Sequence, residues 1–161
     1  VVLQAYLRRT LADIAAMPAG ANVRMCKGIY LEPRRVAWTD RETVRTAYVA
    51  ALAALLDRGA TVGIATHDEH LVQQSVALVR ARDLPAERYE FQMLLGVDPE
   101  LRSILIDEGH PLRVYVPYGP EWYVYSLRRL RENPRIAGYV ISALFRRQPR
   151  GEAPTGRDPD H

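Results

Sequence analysis

Strand-like and helix-like segments alternate along almost the whole chain, and this alternation limits the fold more than any other feature. Five short, mostly apolar segments with few clean polar faces occupy residues 1–6, 22–30, 61–66, 89–95 and 112–116. Segments with apolar residues at helical spacing separate them. Such an order is typical of parallel strands covered by helices, because parallel strands need crossover connections. The sequence therefore predicts an α/β fold, either a small open sheet or part of an eight-stranded (β/α) barrel.

Start and stop signals define two of the predicted helices. Residues 39–42 (TDRE) have the pattern of a capping box with Thr39 as the cap, and Gly59 follows the expected helix end near residue 58. Residues 98–100 (DPE) predict a second helix start, and Gly109 the end of that helix. Apolar residues at helical spacing predict a buried face on the first of these helices: Val44, Tyr48, Leu52 and Leu55.

Further helices are predicted from the composition between the strands. They cover about residues 11–17, 71–82, 120–132 and 136–145. The last residues, 146–161, are rich in Arg, Pro, Gly and Asp, which predicts a disordered tail. We therefore expect a folded part over residues 1–145, followed by that tail.

Composition and charge exclude several classes of protein. The chain of 161 residues is 48% hydrophobic and 25% charged, which suits a globular domain. No apolar run reaches the roughly 18 residues of a membrane span, and no signal peptide is visible. Arginines are dispersed among 19 acidic residues, so no basic stripe indicates nucleic-acid binding. The single cysteine, Cys26, excludes an internal disulfide and is predicted to be an inert thiol in a reducing compartment.

Polar residues recur near the C-terminal ends of the predicted strands. Catalytic groups of parallel β/α proteins gather at that edge of the sheet. A buried arginine such as Arg24 would need a partner or a ligand. We therefore predict a functional face. Its residues are Gln4, Arg24, Lys27, Thr66, His67, Gln92 and Tyr115.

The helix predicted after the fifth strand carries a candidate anion site. Arg128 and Arg129 are adjacent, and two guanidiniums can clamp a small carboxylate. The alternative is a solvated helix face. Glu132 follows Arg128 by four residues, but this order stabilises a helix weakly, so helix stability alone explains the pair poorly.

A second candidate site is the run of His67, Asp68 and His70 after the third strand. Such residues can bind zinc, as in a metal-dependent barrel hydrolase. The other interpretation is that Asp68 caps the following helix and His70 lies on the surface. We favour the second interpretation, because no further cluster of histidines or carboxylates occurs at the other strand ends.

Seven motifs in order give the chain a resemblance to a known family. They are residues 2–6 (VLQAY), 23–30 (VRMCKGIY), 65–68 (ATHD), 91–94 (FQML), 113–119 (RVYVPYG), 122–125 (WYVY) and 128–132 (RRLRE). From residue 1 to about 145, the chain resembles proline dehydrogenase, in its monofunctional bacterial form. Ile29 and Val124 depart from the family pattern, which more often has alanine and proline there.

The resemblance implies a distorted (β/α)8 barrel with FAD at the C-terminal ends of its strands. This chain would supply strands 4 to 8 and the helices after them. The start of the chain (VVL, without methionine) indicates a fragment or a processed product. Another piece is expected to supply the first three strands, which carry a lysine and an aspartate of the family's active site. A half barrel with open edges should not be stable alone, and a non-catalytic half-barrel module remains an alternative.

The resemblance also implies an activity and its partners. The family oxidises L-proline to Δ1-pyrroline-5-carboxylate, with hydride transfer to FAD and electron transfer to a membrane quinone. The implied location is the cytoplasm, at the inner face of the cell membrane. The oligomeric state stays open.

Residue roles follow from the same resemblance. Arg24 resembles the arginine beside the flavin N5 edge. The positions that match the substrate pocket are Arg128 and Arg129 at the carboxylate, Tyr115 and Leu94 at the ring, and Tyr30 and Glu132 beside them. The other positions that match FAD contacts are Gln4, Lys27, Gly28, Ile29, Thr66 and His67.

Overall fold

The computed structural model describes residues 1–28, 30–116 and 118–120, whose strands form one five-stranded parallel sheet. The strands are β1 (Val2–Gln4), β2 (Asn22–Cys26), β3 (Thr61–Ala65), β4 (Tyr89–Leu94) and β5 (Leu112–Tyr115). The helices are α1 (Thr10–Ala16), α2 (Arg41–Asp57), α3 (Glu69–Arg80) and α4 (Pro99–Asp107), and a 3₁₀ turn covers Ala86–Arg88. The helices predicted over 120–132 and 136–145 and the predicted tail lie outside the described residues.

The strands lie in the sheet in the same order as in the chain, β1-β2-β3-β4-β5. Each crossover therefore moves to the next position in the same direction. A doubly wound open sheet would reverse this direction at a switch point. The uniform order is the one found in (β/α)8 barrels, so it favours part of a barrel over a small open sheet.

The two faces of the sheet differ in chemistry. One face packs under the helices in a single apolar core, and its fully buried strand residues are Val23, Met25, Val62, Ile64, Phe91 and Met93. We call the opposite face the inner face; its residues are Val2, Gln4, Asn22, Arg24, Cys26, Thr61, Gly63, Ala65, Glu90, Gln92, Leu94, Arg113 and Tyr115. The expectation of few clean polar faces was therefore wrong for this side, since alternate residues of β4 and β5 are polar.

Polar groups on the inner face pair with each other. Arg113 donates from Nε and Nη2 to the two carboxylate oxygens of Glu90, at 2.7 and 2.9 Å. Gln92 also donates to Glu90, at 2.7 Å. A Cβ at Gly63 would lie 2.4 Å from the Gln92 amide nitrogen, so the glycine leaves room for this group. These hydrogen bonds satisfy the polar side chains that β4 and β5 place on the inner face near Glu90.

The helix signals were mostly confirmed, with one shift at α2. Asp40, not Thr39, is the N-cap, and its carboxylate accepts hydrogen bonds from the Thr43 N–H and hydroxyl at 2.8 Å. The predicted capping box does not form, because the cap lies one residue later than Thr39; the Glu42 carboxylate accepts a hydrogen bond from Arg45. Gly59 follows the helix with a φ of +74°, as predicted.

The start of α4 was confirmed as well. The Asp98 carboxylate accepts from the Leu101 N–H at 3.1 Å, and Pro99 occupies the first helical position. β2 ends at Cys26, four residues earlier than predicted. Gly28 has a φ of +98° and turns the chain out of the sheet.

The predicted buried face of α2 was confirmed. Val44, Tyr48, Leu52 and Leu55 are all buried, and the Tyr48 hydroxyl donates to the Met25 carbonyl at 3.3 Å. This helix therefore holds the centre of the sheet from the outer side. None of the described helices is long and apolar enough to cross a membrane.

Replacing Leu52 by alanine tests this core. Leu52 is fully buried, so Leu52→Ala should lower the free energy of unfolding by about 2–5 kcal/mol through lost burial and a cavity. The matched control is Leu11→Ala, because Leu11 lies on α1 with 51% exposure and should change the free energy by less than about 0.5 kcal/mol. Urea unfolding measures both. Equal effects would contradict the core as described.

Candidate active site

Most candidate residues lie where the strands end. Gln4, Leu94 and Tyr115 are the last residues of β1, β4 and β5. Lys27 directly follows β2, and Thr66 and His67 directly follow β3. The C-terminal edge of the sheet therefore collects side chains that are far apart in the sequence. Arg24 and Gln92 differ from this pattern, because both lie inside their strands.

Arg24 is exposed on the inner face, so the expectation of a buried arginine was wrong. Its register partners are Val2 and Gly63, and Gly63 has no side chain that could cover Arg24. Within the described residues, its guanidinium has no hydrogen-bond or ion-pair partner. A cation in this position is available to a ligand in front of the inner face.

Cys26 lies two residues further along the same face. Burial raises the pKa of its thiol, although the charge of Arg24 acts in the opposite direction. A thiol with a raised pKa stays protonated and is a poor nucleophile. This supports the prediction that Cys26 is inert.

Asp68 is the centre of a charged cluster that sequence reasoning missed. Its Oδ2 accepts from Lys27 Nζ at 2.8 Å and from Arg45 Nε at 3.1 Å, and its Oδ1 accepts from Arg45 Nη2 at 2.7 Å. Arg45 Nη1 also donates to Glu42 at 2.9 Å. The Asp68 side chain is only 9% exposed. We call Lys27, Arg45, Asp68 and Glu42 the edge cluster.

The edge cluster keeps Asp68 ionised. Burial by itself raises the pKa of the carboxyl group, but hydrogen bonds from Arg45 and Lys27 outweigh burial and hold the pKa well below its usual range. The prediction that the Asp68 side chain caps the helix was therefore wrong. Asp68 occupies the N-cap position of α3, but its side chain makes no capping bond.

One sequence signal could have revealed the missing partner. Arg45 precedes Tyr48 by three residues, so it lies on the face of α2 that packs on the sheet. A charge on that face needs a partner, and its side chain is 16% exposed. The identity of the partner depends on the tertiary structure, since Asp68 is 23 residues away.

His67 connects the ends of β3 and β4. The Leu94 N–H donates to His67 Nε2 at 2.8 Å, so this nitrogen is an acceptor and the proton of the neutral ring is on Nδ1. Burial lowers the pKa of His67, against a smaller opposing effect of Asp98. His67 therefore stays neutral and fixes the backbone of Leu94.

Local packing explains why a glycine occupies position 28. A Cβ at this position would lie 2.1 Å from Cδ1 of the Tyr6 ring, and its φ of +98° disfavours other residues. The Tyr6 N–H also donates to the Lys27 carbonyl at 3.0 Å. The backbone at 27–28 is thus held tightly against the segment that follows β1.

The remaining candidates have simpler surroundings. The Thr66 hydroxyl is buried and accepts from the Asp68 N–H at 3.1 Å. The Gln4 carbonyl accepts from the Thr10 hydroxyl at 2.6 Å. Tyr30 and Tyr115 are about half exposed, and Tyr115 is the register partner of Leu94. The other four candidates, Ile29, Arg128, Arg129 and Glu132, lie outside the described residues.

The zinc-site alternative gains no support from the geometry. His67 Nε2 and both oxygens of Asp68 are engaged by protein donors. His70 is exposed, as expected for a surface residue. Across residues 1–28, 30–116 and 118–120, no group of three or more histidine, cysteine or acidic side chains could hold a metal ion.

The neutral state of His67 predicts a pH dependence of stability. Its folded pKa lies below the unfolded value of about 6.5, so its contribution is complete above that pH and is lost as pH falls through the folded pKa. His67→Gln keeps an acceptor for the Leu94 N–H but cannot titrate. We expect its free energy of unfolding to fall less than that of the wild type between pH 7 and pH 5.

Burial also lowers the pKa of His110, so the wild type and the variant share that part of the pH dependence. The difference between their urea unfolding curves isolates His67. Identical pH profiles for both proteins would contradict the assignment of His67 as a buried neutral acceptor.

The chain is similar in sequence to known proteins. The chain is 40% identical to a proline dehydrogenase of Deinococcus radiodurans over 146 residues, which are 90% of this chain and 47% of that protein. It is 37% identical to proline dehydrogenase 1 of Bacillus subtilis over 147 residues, which are 91% of this chain and 49% of that protein. The chain therefore spans about half the length of these curated relatives.

Solved structures agree on the fold. Proline utilization A from Bdellovibrio bacteriovorus, inactivated by N-propargylglycine, matches with a TM-score of 0.71 and 25% identity over 80% of this chain and 16% of that one. A bifunctional proline utilization A protein matches with a TM-score of 0.72 and 24% identity over 88% of this chain and 17% of that one. Together with the uniform strand order, these matches confirm an α/β fold that forms part of a TIM-type barrel. The sequence profile described as proline dehydrogenase matches residues 1–141, and the chain belongs to the proline dehydrogenase family.

Proposed function

We propose that this chain forms the C-terminal part of a catalytic barrel that oxidises L-proline to Δ1-pyrroline-5-carboxylate with FAD. The main support for the proposal is that, in a member of this family, the candidate residues gather at the C-terminal edge of the sheet. Lys27, His67, Leu94 and Tyr115 all lie there, on four successive strands or directly after them. This is the edge at which β/α barrels bind their ligands.

The residues at this edge suit a flavin dinucleotide. FAD carries an anionic diphosphate, and the edge supplies the partly exposed ammonium of Lys27 and the N-terminus of α3 directly after His67. His67 has an Nδ1–H to donate, because its other nitrogen is an acceptor. Gln4, Gly28, Ile29 and Thr66 complete the proposed set of cofactor contacts.

Arg24 is proposed to act beside the reactive ring of the flavin. When bound, FAD supplies the acceptor of a hydride from the carbon next to the proline nitrogen. A cation beside the flavin favours the more electron-rich reduced ring. Arg24 is exposed and lacks a partner among the described residues, which supports this role.

The substrate pocket is proposed to lie next to the ends of β4 and β5. Leu94 and Tyr115 are register partners, so their side chains leave the same face of the sheet side by side and can form a wall for the proline ring. Tyr30 follows the turn at Gly28 and is proposed to border the same pocket. Arg128 and Arg129 would clamp the carboxylate, and Glu132 would hold these arginines in place.

Partners beyond the substrate belong to the same proposal. A membrane quinone would take the electrons from the reduced flavin, which puts the protein at the inner face of the cell membrane. The rest of the barrel, with its lysine and aspartate, would come from outside these 161 residues. A non-catalytic half barrel would bind no flavin and would not oxidise proline, so the tests below separate the two functions.

Anaerobic flavin reduction tests the activity. L-proline should bleach the visible absorbance of the purified yellow protein, because hydride transfer to the flavin removes the absorbance of the oxidised ring. D-proline is the control, since it presents its carboxylate in the opposite configuration. A yellow protein that L-proline does not bleach would contradict the proposed substrate, and a colourless protein would contradict the proposed cofactor.

Substitution of the arginine pair tests the substrate clamp. Arg128→Ala and Arg129→Ala should each weaken proline binding by about tenfold or more, because each removes charge-assisted hydrogen bonds to the carboxylate. Flavin content should not change. Arg41→Ala removes an exposed arginine at the start of α2 and serves as the matched control. Unchanged proline affinity in both variants would exclude the clamp.

A further inference from the structure

We propose that Asp68 and Arg45 are positioning residues for Lys27, and that they hold its ammonium group at the C-terminal edge to bind an oxygen of the flavin cofactor. The inference rests on the proposed function, in which Lys27 contacts FAD. It adds two residues that are not among the proposed cofactor contacts. Neither acts on the cofactor directly.

The geometry of the carboxylate supports this role. Arg45 engages both oxygens of Asp68, through Nη2 at 2.7 Å and Nε at 3.1 Å. A planar fork on two oxygens fixes the rotation of the carboxylate. Lys27 Nζ donates to Asp68 Oδ2 at 2.8 Å. Because Arg45 fixes this carboxylate, it also fixes the position of the Lys27 ammonium group.

The remaining donors of Lys27 are suited to a ligand. An ammonium group has three N–H donors, and Asp68 accepts one of them. The Lys27 side chain is 32% exposed, whereas those of Arg45 and Asp68 are 16% and 9% exposed. Among the residues that the structure describes, Lys27 is therefore the one of these three that faces outward and has donors without a partner.

The charges of Lys27, Arg45 and Asp68 also point to an anionic partner. Asp68 and Lys27 alone would form a neutral pair. Arg45 adds a second positive charge to the same carboxylate, so the three side chains carry a net charge of +1 at neutral pH. Glu42 lies on the far side of Arg45 and is 68% exposed, so solvent screens its charge. A phosphate or a flavin carbonyl oxygen would find a positive site here.

The backbone of Lys27 is held as firmly as its side chain. Its carbonyl accepts from the Tyr6 N–H at 3.0 Å, and the next residue, Gly28, packs against the Tyr6 ring. The side chain is then tied to the start of α3 through Asp68 and to α2 through Arg45. Both ends of this flexible residue are fixed, which reduces the conformational entropy that ligand binding would otherwise remove.

A local role of Asp68 in helix capping does not explain the arrangement. Asp68 is the N-cap residue of α3, where a carboxylate commonly accepts from the first turn of the helix. It makes no such bond here. The side chain is committed to Lys27 and Arg45 instead, 41 and 23 residues away along the chain.

A double-mutant cycle on flavin affinity tests the inference. Dilution of the holoenzyme releases FAD, and the fluorescence of free FAD gives its dissociation constant. Lys27→Met and Asp68→Asn should each raise this constant by about tenfold, the value expected for a charge-assisted hydrogen bond. In the Lys27→Met background, Asp68→Asn should have no further effect, because Asp68 acts through Lys27.

Asp57→Asn is the matched control. Asp57 pairs with Arg82 at 2.9 Å and also joins α2 to the region of α3, but it is 64% exposed. Its substitution should leave flavin affinity unchanged. If Asp68→Asn lowers the yield of holoenzyme, Arg45→Gln replaces it in the double-mutant cycle. Arg45→Gln should weaken flavin binding in the wild-type background and have no effect in the Lys27→Met background.

The outcomes are distinct. Independent, multiplicative effects of Lys27→Met and Asp68→Asn would show that Asp68 acts on the fold rather than through Lys27, and would overturn the inference. So would unchanged flavin affinity in Lys27→Met or in Asp68→Asn. In these cases, bleaching by L-proline would still show that the proposed function stands. Failure of L-proline to bleach the wild-type flavin would instead overturn the proposed function.

Discussion

The two-oxygen ion pair of Asp68 with Arg45 is the interaction on which the candidate site depends. A nearly buried carboxylate is unfavourable unless donors compensate its charge, and here two cations do so. Arg45 comes from α2, Asp68 from the start of α3 and Lys27 from the end of β2. One carboxylate therefore fixes the relative position of three elements at the edge where the chemistry is proposed to occur.

The two faces of the sheet have different roles. The outer face is buried under α1 to α4 in one apolar core. The inner face carries Arg24, the Glu90–Arg113 pair and, at its end, Tyr115. In a closed barrel the inner face points into the packed interior, so its polar groups meet a ligand only towards the C-terminal ends of the strands, whereas the outer face supplies stability. The fold thus separates the residues that hold the sheet together from those available for binding.

Local patterns in the sequence predicted the five strands, most helix bounds and the buried face of α2. These depend on periodicity and on capping residues within a few positions of each other. The same local rules misplaced the cap of α2 by one residue, because the Asp40 carboxylate, not the Thr39 hydroxyl, accepts a hydrogen bond from the first turn of the helix. They also missed the role of Asp68 and the bond from Leu94 to His67. Both depend on which strand ends become neighbours, and no pattern within one segment contains that information.

Hydrogen–deuterium exchange with and without bound FAD tests most directly whether the C-terminal edge is the cofactor site. We expect slower exchange on FAD binding at the backbone amides of residues 27–28, 66–69 and 94–96, since these lie at or directly after the ends of β2, β3 and β4. The amides at the starts of the same strands, at residues 20–22, 59–61 and 88–89, should not change. Protection confined to that opposite end would contradict the central claim.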